Sequence, residues 1–134
     1  MTVDMRSFLQ QIKKTNDLFT VKKRVSTKYE IAAVTEKLDG SKAALFENIK
    51  GSKFKLVSNL VGSRDRFAQA IGSKKSGINQ KIVRAISSAK KPKISATAKF
   101  FENSSKNIST LPIVTHFQNE SGPFITSSIL YTRN

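Results

Sequence analysis

The chain has no cysteine and no tryptophan, a single histidine, three prolines, and nine acidic residues against 24 Lys and Arg. Without cysteine there are no disulfides, thiolate nucleophiles or thiolate metal sites. One histidine leaves no room for a multi-histidine metal centre. No apolar run approaches the ~20 residues that a helix needs to cross a bilayer. The N-terminus, MTVDMRSFLQQIKK, carries an acid where a signal peptide carries its positive charge, and it lacks a continuous apolar segment. The expectation is therefore a cytoplasmic chain. The glycines follow neither the dinucleotide fingerprint nor the phosphate-binding loop pattern, so neither nucleotide site is expected.

What is present is a basic chain with enough apolar residues for a core. The 134 residues fit one domain, 38% of them are hydrophobic, and the formal charge is +15. The charge is uneven: residues 1–99 hold 22 of the 24 cations and seven of the nine acids, and residues 100–134 are balanced. Such a field attracts polyanions, anionic surfaces or phosphorylated small molecules without selecting among them. It also suits a lysine-rich surface that only faces water. The aromatics are nearly all Phe in apolar phases, without the exposed rings between cations that base stacking requires, so a nucleic-acid partner is not expected.

The stretch from Ala43 to Gly72 organises the rest. Ala44, Leu45 and Phe46 begin a strand, Asn48 to Ser52 supply a turn, and Phe54 to Leu60 form the returning arm of a hairpin. After Gly62, Ser63 caps a helix that carries Phe67, Ala68 and Ile71 on one face and stops at Gly72. Upstream, Asp4 caps a helix with Met5, Phe8, Leu9 and Ile12 on its apolar face. Asn16 and Asp17 end it, and Leu18 to Val25 read as an edge-like strand rich in cations. Thr27 and Glu30 are spaced as a capping box for a second helix ending at Gly40. Downstream, Ile78, Ile82, Val83 and Ile86 mark another amphipathic helix, left at Pro92 among lysines. A short strand is expected after residue 94, then a Ser- and Asn-rich connection. Apolar segments follow at Leu111–Val114 and at Phe124–Thr132, the second a strand. The order is an α+β or α/β pattern in one compact unit.

Few residues offer chemistry. His116 is more simply a packed or hydrogen-bonded group than a ligand. Glu102 and Glu120 are separated by a loop, so no paired-carboxylate geometry follows from spacing. Thr126, Ser127 and Ser128 could present hydroxyls to a ligand, but strand alternation sends Ser127 to the opposite face.

Three ordered blocks carry a resemblance: SFLQQIKKTNDLFTVKKRVSTKYEIAAVTEKL, ALFENIKGSKFKLVSNLVGSRDRFAQAIG and LPIVTHFQNESGPFITSSILYTR. Together they resemble the N-terminal part of the UbiD-type decarboxylases (3-octaprenyl-4-hydroxybenzoate carboxy-lyase-like), while residues 73–110 match poorly. The resemblance implies an N-terminal α/β domain over residues 1–100. Residues 101–134 would be a linker and the first strand of an incomplete split β-barrel that binds flavin. It further implies non-oxidative decarboxylation of aromatic or α,β-unsaturated acids, including quinone and isoprenoid precursors, with prenylated flavin mononucleotide (FMN), manganese and a monovalent ion. Within such a family the basic surface fits a phosphorylated isoprenoid precursor better than a neutral aromatic acid.

The family's metal-binding Asn, His and Glu, and its Arg and catalytic acid, lie beyond the isoleucine-threonine strand at which this sequence stops. Neither Asn134 nor His116 inherits a role. Only Ile125, Thr126 and Ser127 match the entry to the flavin domain, and Ser128 stands where a glycine is common. The implied cofactor contacts are therefore Thr126 and Ser127, with no catalytic residue or metal ligand. The expectation is a fragment or truncated homologue that is inactive alone, with a homo-oligomer or a missing C-terminal part as partner. The alternative is a non-catalytic basic module that binds polyanions or a protein.

Overall fold

The computed structural model describes residues 4–91, 102 and 104–125. Its elements run α1 (Met5–Lys14), β1 (Leu18–Val21), α2 (Glu30–Lys37), β2 (Ala43–Phe46), β3 (Leu56–Ser58), α3 (Arg64–Ala70) and α4 (Ile78–Ser87). Short 3₁₀ turns lie at Lys75–Gly77 and Ile108–Thr110. The expected strand after residue 94, the exit at Pro92 and the strand after Phe124 fall wholly or largely outside the described residues, as do Thr126 and Ser127.

The sheet order is β1-β2-β3. β1 and β2 are parallel, with Leu18 opposite Ala43 and Val21 opposite Phe46, so α2 forms the crossover between them. β2 and β3 are antiparallel, with Phe46 opposite Leu56, which makes the expected hairpin. Gly51 takes φ +78° in its turn, a region that side chains resist.

β2 is the centre of the fold because it is buried on both faces. Ala43 belongs with Phe8, Ile12 and Leu18, and half-buried Leu45, Leu60 and Ala70 pack there too. Ala44 and Phe46 belong to the other core with Val25, Ile31, Ile49 and Val114, against which Val34, Leu38 and Leu56 pack. The period of two along the strand thus divides two cores, with α1 and the end of α3 on one face and α2 on the other. Two adjacent alanines at 0% exposure let both layers approach the strand closely. The result is the mixed α/β architecture expected from the sequence, built on a small three-stranded sheet.

Local signals explain most boundaries. The Asp4 carboxylate accepts from the Arg6 and Ser7 N–H groups at 2.8 and 3.0 Å and so caps α1. The Ser63 hydroxyl accepts from the Arg66 N–H at 3.2 Å at the start of α3. Gly40 and Gly72 take φ +67° and +65° just past the ends of α2 and α3.

Three expectations need correction. The strand from Leu18 to Val25 breaks after Val21, and Val25 rejoins through an isolated parallel bridge to Ile49. Between them Lys22, Lys23 and Arg24 are all exposed; a continuous strand would turn at least one of these cations toward the core. The returning arm of the hairpin shrinks from Phe54–Leu60 to Leu56–Ser58, because Asn59 turns out of the strand at φ +52°. The capping box is displaced. Tyr29, not Thr27, occupies the N-cap of α2 at φ +68°, with no side-chain cap. Instead the Glu30 carboxylate accepts from the Ser26 N–H at 2.6 Å. That bond is the main reason its carboxyl sits below the usual glutamate range, with the positive charge of Lys50 adding to it.

Among the described residues, Arg66 is the one charged residue that is buried, at 2% exposure. Its guanidinium donates to the Ser41 carbonyl at 2.6 Å and to the Asn59 carbonyl at 3.3 Å, joining α3 to the loops on either side of the hairpin. Replacement by Met keeps most of the side-chain volume but removes the guanidinium donor from the Ser41 carbonyl and one of the two donors to the Asn59 carbonyl. We expect Arg66→Met to lower unfolding free energy in urea by about 2–4 kcal/mol; an unchanged midpoint would show that the guanidinium does not hold these loops.

Asp4, Glu30 and Glu47 all have carboxyls below their usual range: Asp4 chiefly through the Ser7 N–H, Glu47 chiefly through Lys55. A carboxyl depressed by folding stabilises the fold fully above its unfolded value of about 4.3 for Glu, and the contribution is lost as pH falls through the lower folded value. Glu30→Gln is therefore expected to lower Tm at neutral pH and to converge on the parent in acid, once pH falls below the lowered folded value. Equal Tm differences at both pH values, followed by circular dichroism, would contradict this.

Candidate functional site

A concavity with mixed chemistry lies where α2, the Asn59 turn and the segment 115–118 meet. It encloses about 650 Å³ and is lined by Tyr29, Thr35, Glu36, Asp39, Asn59, His116 and Phe117, among others. A smaller lobe of about 360 Å³ shares Thr35 and His116 with it and continues along the apolar side chains of Leu56, Leu111, Ile113 and Phe124.

Each wall follows from local chemistry. The chain after Ile108–Thr110 returns to the N-terminal unit because Val114, 9% exposed, joins the core around Ile31 and Phe46. Its backbone is held there twice: the Tyr29 N–H donates to the Thr115 carbonyl and the Thr115 N–H to the Thr27 carbonyl, both at 3.1 Å. The Ser52 hydroxyl also donates to the Thr110 carbonyl at 3.0 Å. His116 then enters a turn closed by Glu120, whose carboxylate accepts from the His116 and Phe117 N–H groups at 2.6 and 3.1 Å. Thus Glu120 is committed to holding this turn, and Glu102 is exposed elsewhere on the chain.

Two of the lining residues have left-handed backbone. Tyr29 and Asn59 stand at φ +68° and +52°, values that cost non-glycine residues free energy, Asn least. Asn59 is tied down by its amide, which donates to the Thr35 carbonyl at 2.9 Å, beside a Thr35–Ser58 hydroxyl pair at 2.9 Å. The Lys28 ammonium lies 5.5 Å from the Tyr29 ring centroid. Tyr29 entered the sequence reading only as a helix residue, and Asn59 only as part of a strand. The Asn59–Gly62 spacing, two residues tolerant of turn geometry before a Ser cap, is the signal that could have marked the turn.

His116, read from sequence as a structural group, is exposed at the meeting of the two lobes. Its ring stands 6.3 Å from that of Phe117, tilted by 39°. Among the described residues its imidazole has no hydrogen-bonded carboxylate to orient it, so no relay for general-base catalysis is assembled. The cleft can hold an apolar body in one lobe and hydrogen-bonding groups in the other.

The residues of this cleft do not suit the groups that the sequence resemblance implies. Among the described residues, no set of three or more His, Cys, Asp or Glu is placed to hold a metal ion. No Lys or Arg lines the larger lobe, while Glu36 and Asp39 do, so a flavin phosphate would meet repulsion there. Neither manganese nor flavin fits this cleft, and no chemical step is assigned to it through either.

Comparison with known proteins agrees with the architecture. The profile of the 3-octaprenyl-4-hydroxybenzoate carboxy-lyase N-terminal domain (UbiD_N) matches residues 9–86, more than half of the chain. The UbiD-class enzyme HmfF from Pelotomaculum thermopropionicum, solved in complex with FMN, superposes with a TM-score of 0.80 at 29% identity, covering 88% of this chain and 28% of that one. An evolved dimeric form of the same enzyme, in complex with prenylated FMN (prFMN), gives 0.75 at 27% identity over 88% of this chain and 29% of its own. Vanillic acid decarboxylase from Sedimentibacter hydroxybenzoicus, in an open form, gives 0.51 at 29% identity over 61% of this chain and 19% of that one. The chain therefore spans less than a third of the length of these relatives. The comparison with curated proteins gives no match. With its helices on both faces of a β1-β2-β3 sheet and the profile running from α1 through most of α4, the chain belongs to the UbiD carboxy-lyase N-terminal domain family.

Proposed function

We propose that this chain is the N-terminal portion of a UbiD-type non-oxidative decarboxylase acting on aromatic or α,β-unsaturated carboxylic acids, and that alone it does not turn over. Residues 1–100 form the α/β domain in this reading, and residues 101–134 link it to a cofactor domain that holds prenylated FMN and manganese. The observation that carries the reading is a fold match along 88% of the chain to only 28% of a UbiD-class enzyme chain. The basic surface, with a formal charge of +15, favours a phosphorylated acid over a neutral aromatic one as substrate of the assembled enzyme.

The chain's own contribution is then positioning. The segment that packs Val114 into the core leaves Leu111, Phe117 and Phe124 at 41%, 75% and 52% exposure, and these meet the cofactor domain in the assembled enzyme. A cleft lined by no Lys or Arg, and with no set of three metal-ligating side chains among the described residues, is consistent with chemistry carried on that other domain.

The purified 134-residue chain, given prenylated FMN and manganese, is expected to release no carbon dioxide from aromatic or unsaturated acids. Turnover by this chain would refute the assignment of chemistry to the missing part. Mixed with a separately produced cofactor domain of a UbiD-type decarboxylase, it is expected to co-elute. The double variant Phe117→Asp, Phe124→Asp should weaken that association at least about tenfold while keeping the parent Tm, because both side chains are exposed.

A further inference from the structure

A second concavity lies away from the cleft around His116, between the segment 73–77 and one flank of α4. It encloses about 650 Å³, and its lining includes Lys74, Lys81, Arg84, Ser73, Ser76 and Ser88, with no carboxylate. Asp65, an acid of the neighbouring helix α3, is engaged by Lys75 at 3.0 Å, and Lys75 does not line the concavity. The Lys81 ammonium donates to the Gly72 carbonyl at 2.9 Å, which anchors it and leaves two of its three donors for another acceptor. Gly77 lets the chain pass close to Ser73: a Cβ there would stand 3.0 Å from the Ser73 hydroxyl oxygen.

We propose that this basic concavity binds the phosphate group of a phosphate monoester or diphosphate. Three cations and no acid line the concavity, which suits a group carrying two or more negative charges better than a single carboxylate. Arg84 offers a planar fork for two phosphate oxygens, and Lys74 and Lys81 add point charges beside it. The volume is that of a site for an organic ligand rather than for one small ion. The same helix exposes Ile82, Val83 and Ile86 at 39%, 60% and 74%, so the phosphate can come from a soluble metabolite or from a lipid headgroup. The site does not depend on the decarboxylase reading.

Inorganic pyrophosphate titrated into the full chain near physiological salt, followed by amide NMR, tests the site. Shifts are expected first in residues 73–88, saturating, and ahead of the equally cationic stretches at Lys13–Lys14 and Lys22–Arg24. The double variant Lys74→Gln, Arg84→Gln should raise Kd at least about tenfold, Arg84→Lys should recover part of the loss, and Lys13→Gln, Lys14→Gln should leave it unchanged. Even shifts over all cationic stretches, equal losses in both double variants, or no saturation below about 10 mM would overturn the proposal. Sedimentation with phosphatidylcholine vesicles, with and without phosphatidic acid, separates the sources. Pelleting that needs phosphatidic acid and fails in the Lys74, Arg84 variant assigns the lipid headgroup; pyrophosphate binding without pelleting assigns a soluble phosphate.

Discussion

A buried guanidinium that has no carboxylate partner among the described residues holds the domain's irregular half in place. Arg66 reaches from α3 to the carbonyls of Ser41 and Asn59, so one side chain joins the loop entering β2 to the loop leaving β3. Carbonyl dipoles, rather than an opposite charge, compensate its burial, and the Arg66 Nε remains without a partner among the described residues. The Asn59 carbonyl is held by two donors, Arg66 and the Gly62 N–H at 3.1 Å. A Cβ at Gly62 would stand 3.2 Å from that same oxygen, so the turn closes tightly only around glycine. Because the Asn59 amide also grips the Thr35 carbonyl, α2 is tied to this turn. The wall of the cleft around His116 thus depends on a residue in α3, outside that cleft's lining.

How far the sequence revealed this fold depends on whether the deciding contact is local. The starts of α1 and α3 were readable because Asp4 and Ser63 bond to N–H groups two or three residues away. The ends of α2 and α3 were readable because Gly40 and Gly72 supply left-handed backbone at the right distance. The start of α2 misled for the same local reason. Thr27 and Glu30 have the spacing of a box, yet Glu30 reaches Ser26, since Tyr29 is drawn into a strained N-cap by its bond to Thr115. Thr115 is far along the chain, and no window around Thr27 contains it. Arg66 was equally hidden: its burial follows from carbonyls at positions 41 and 59, not from its neighbours in α3. The cleft draws on residues 29–39, Asn59 and 116–118, so its lining could be named only once those three segments had been folded together.

Helix α4 shows the limit of periodicity from the other side. Ile78, Ile82, Val83 and Ile86 recur as a helix requires, and the helix is there from Ile78 to Ser87. Only Ile78 is buried, however, at 4%, and the rest of the stripe stays exposed among the described residues. An apolar stripe encodes a face that gains by being covered; it does not encode the cover. Ten residues make a marginal helix in isolation, so its anchorage must come from its first turns. Those turns have it: Ile78 enters the interior and Lys81 grips the carbonyl of Gly72. The same lysine contact turns the polar flank of α4 toward residues 73–77, where Lys74 and Arg84 converge. The amphipathic pattern therefore serves two surfaces at once, and the cations that read in sequence as mere solvent-facing charge are, on one flank, drawn together by the packing of the helix start.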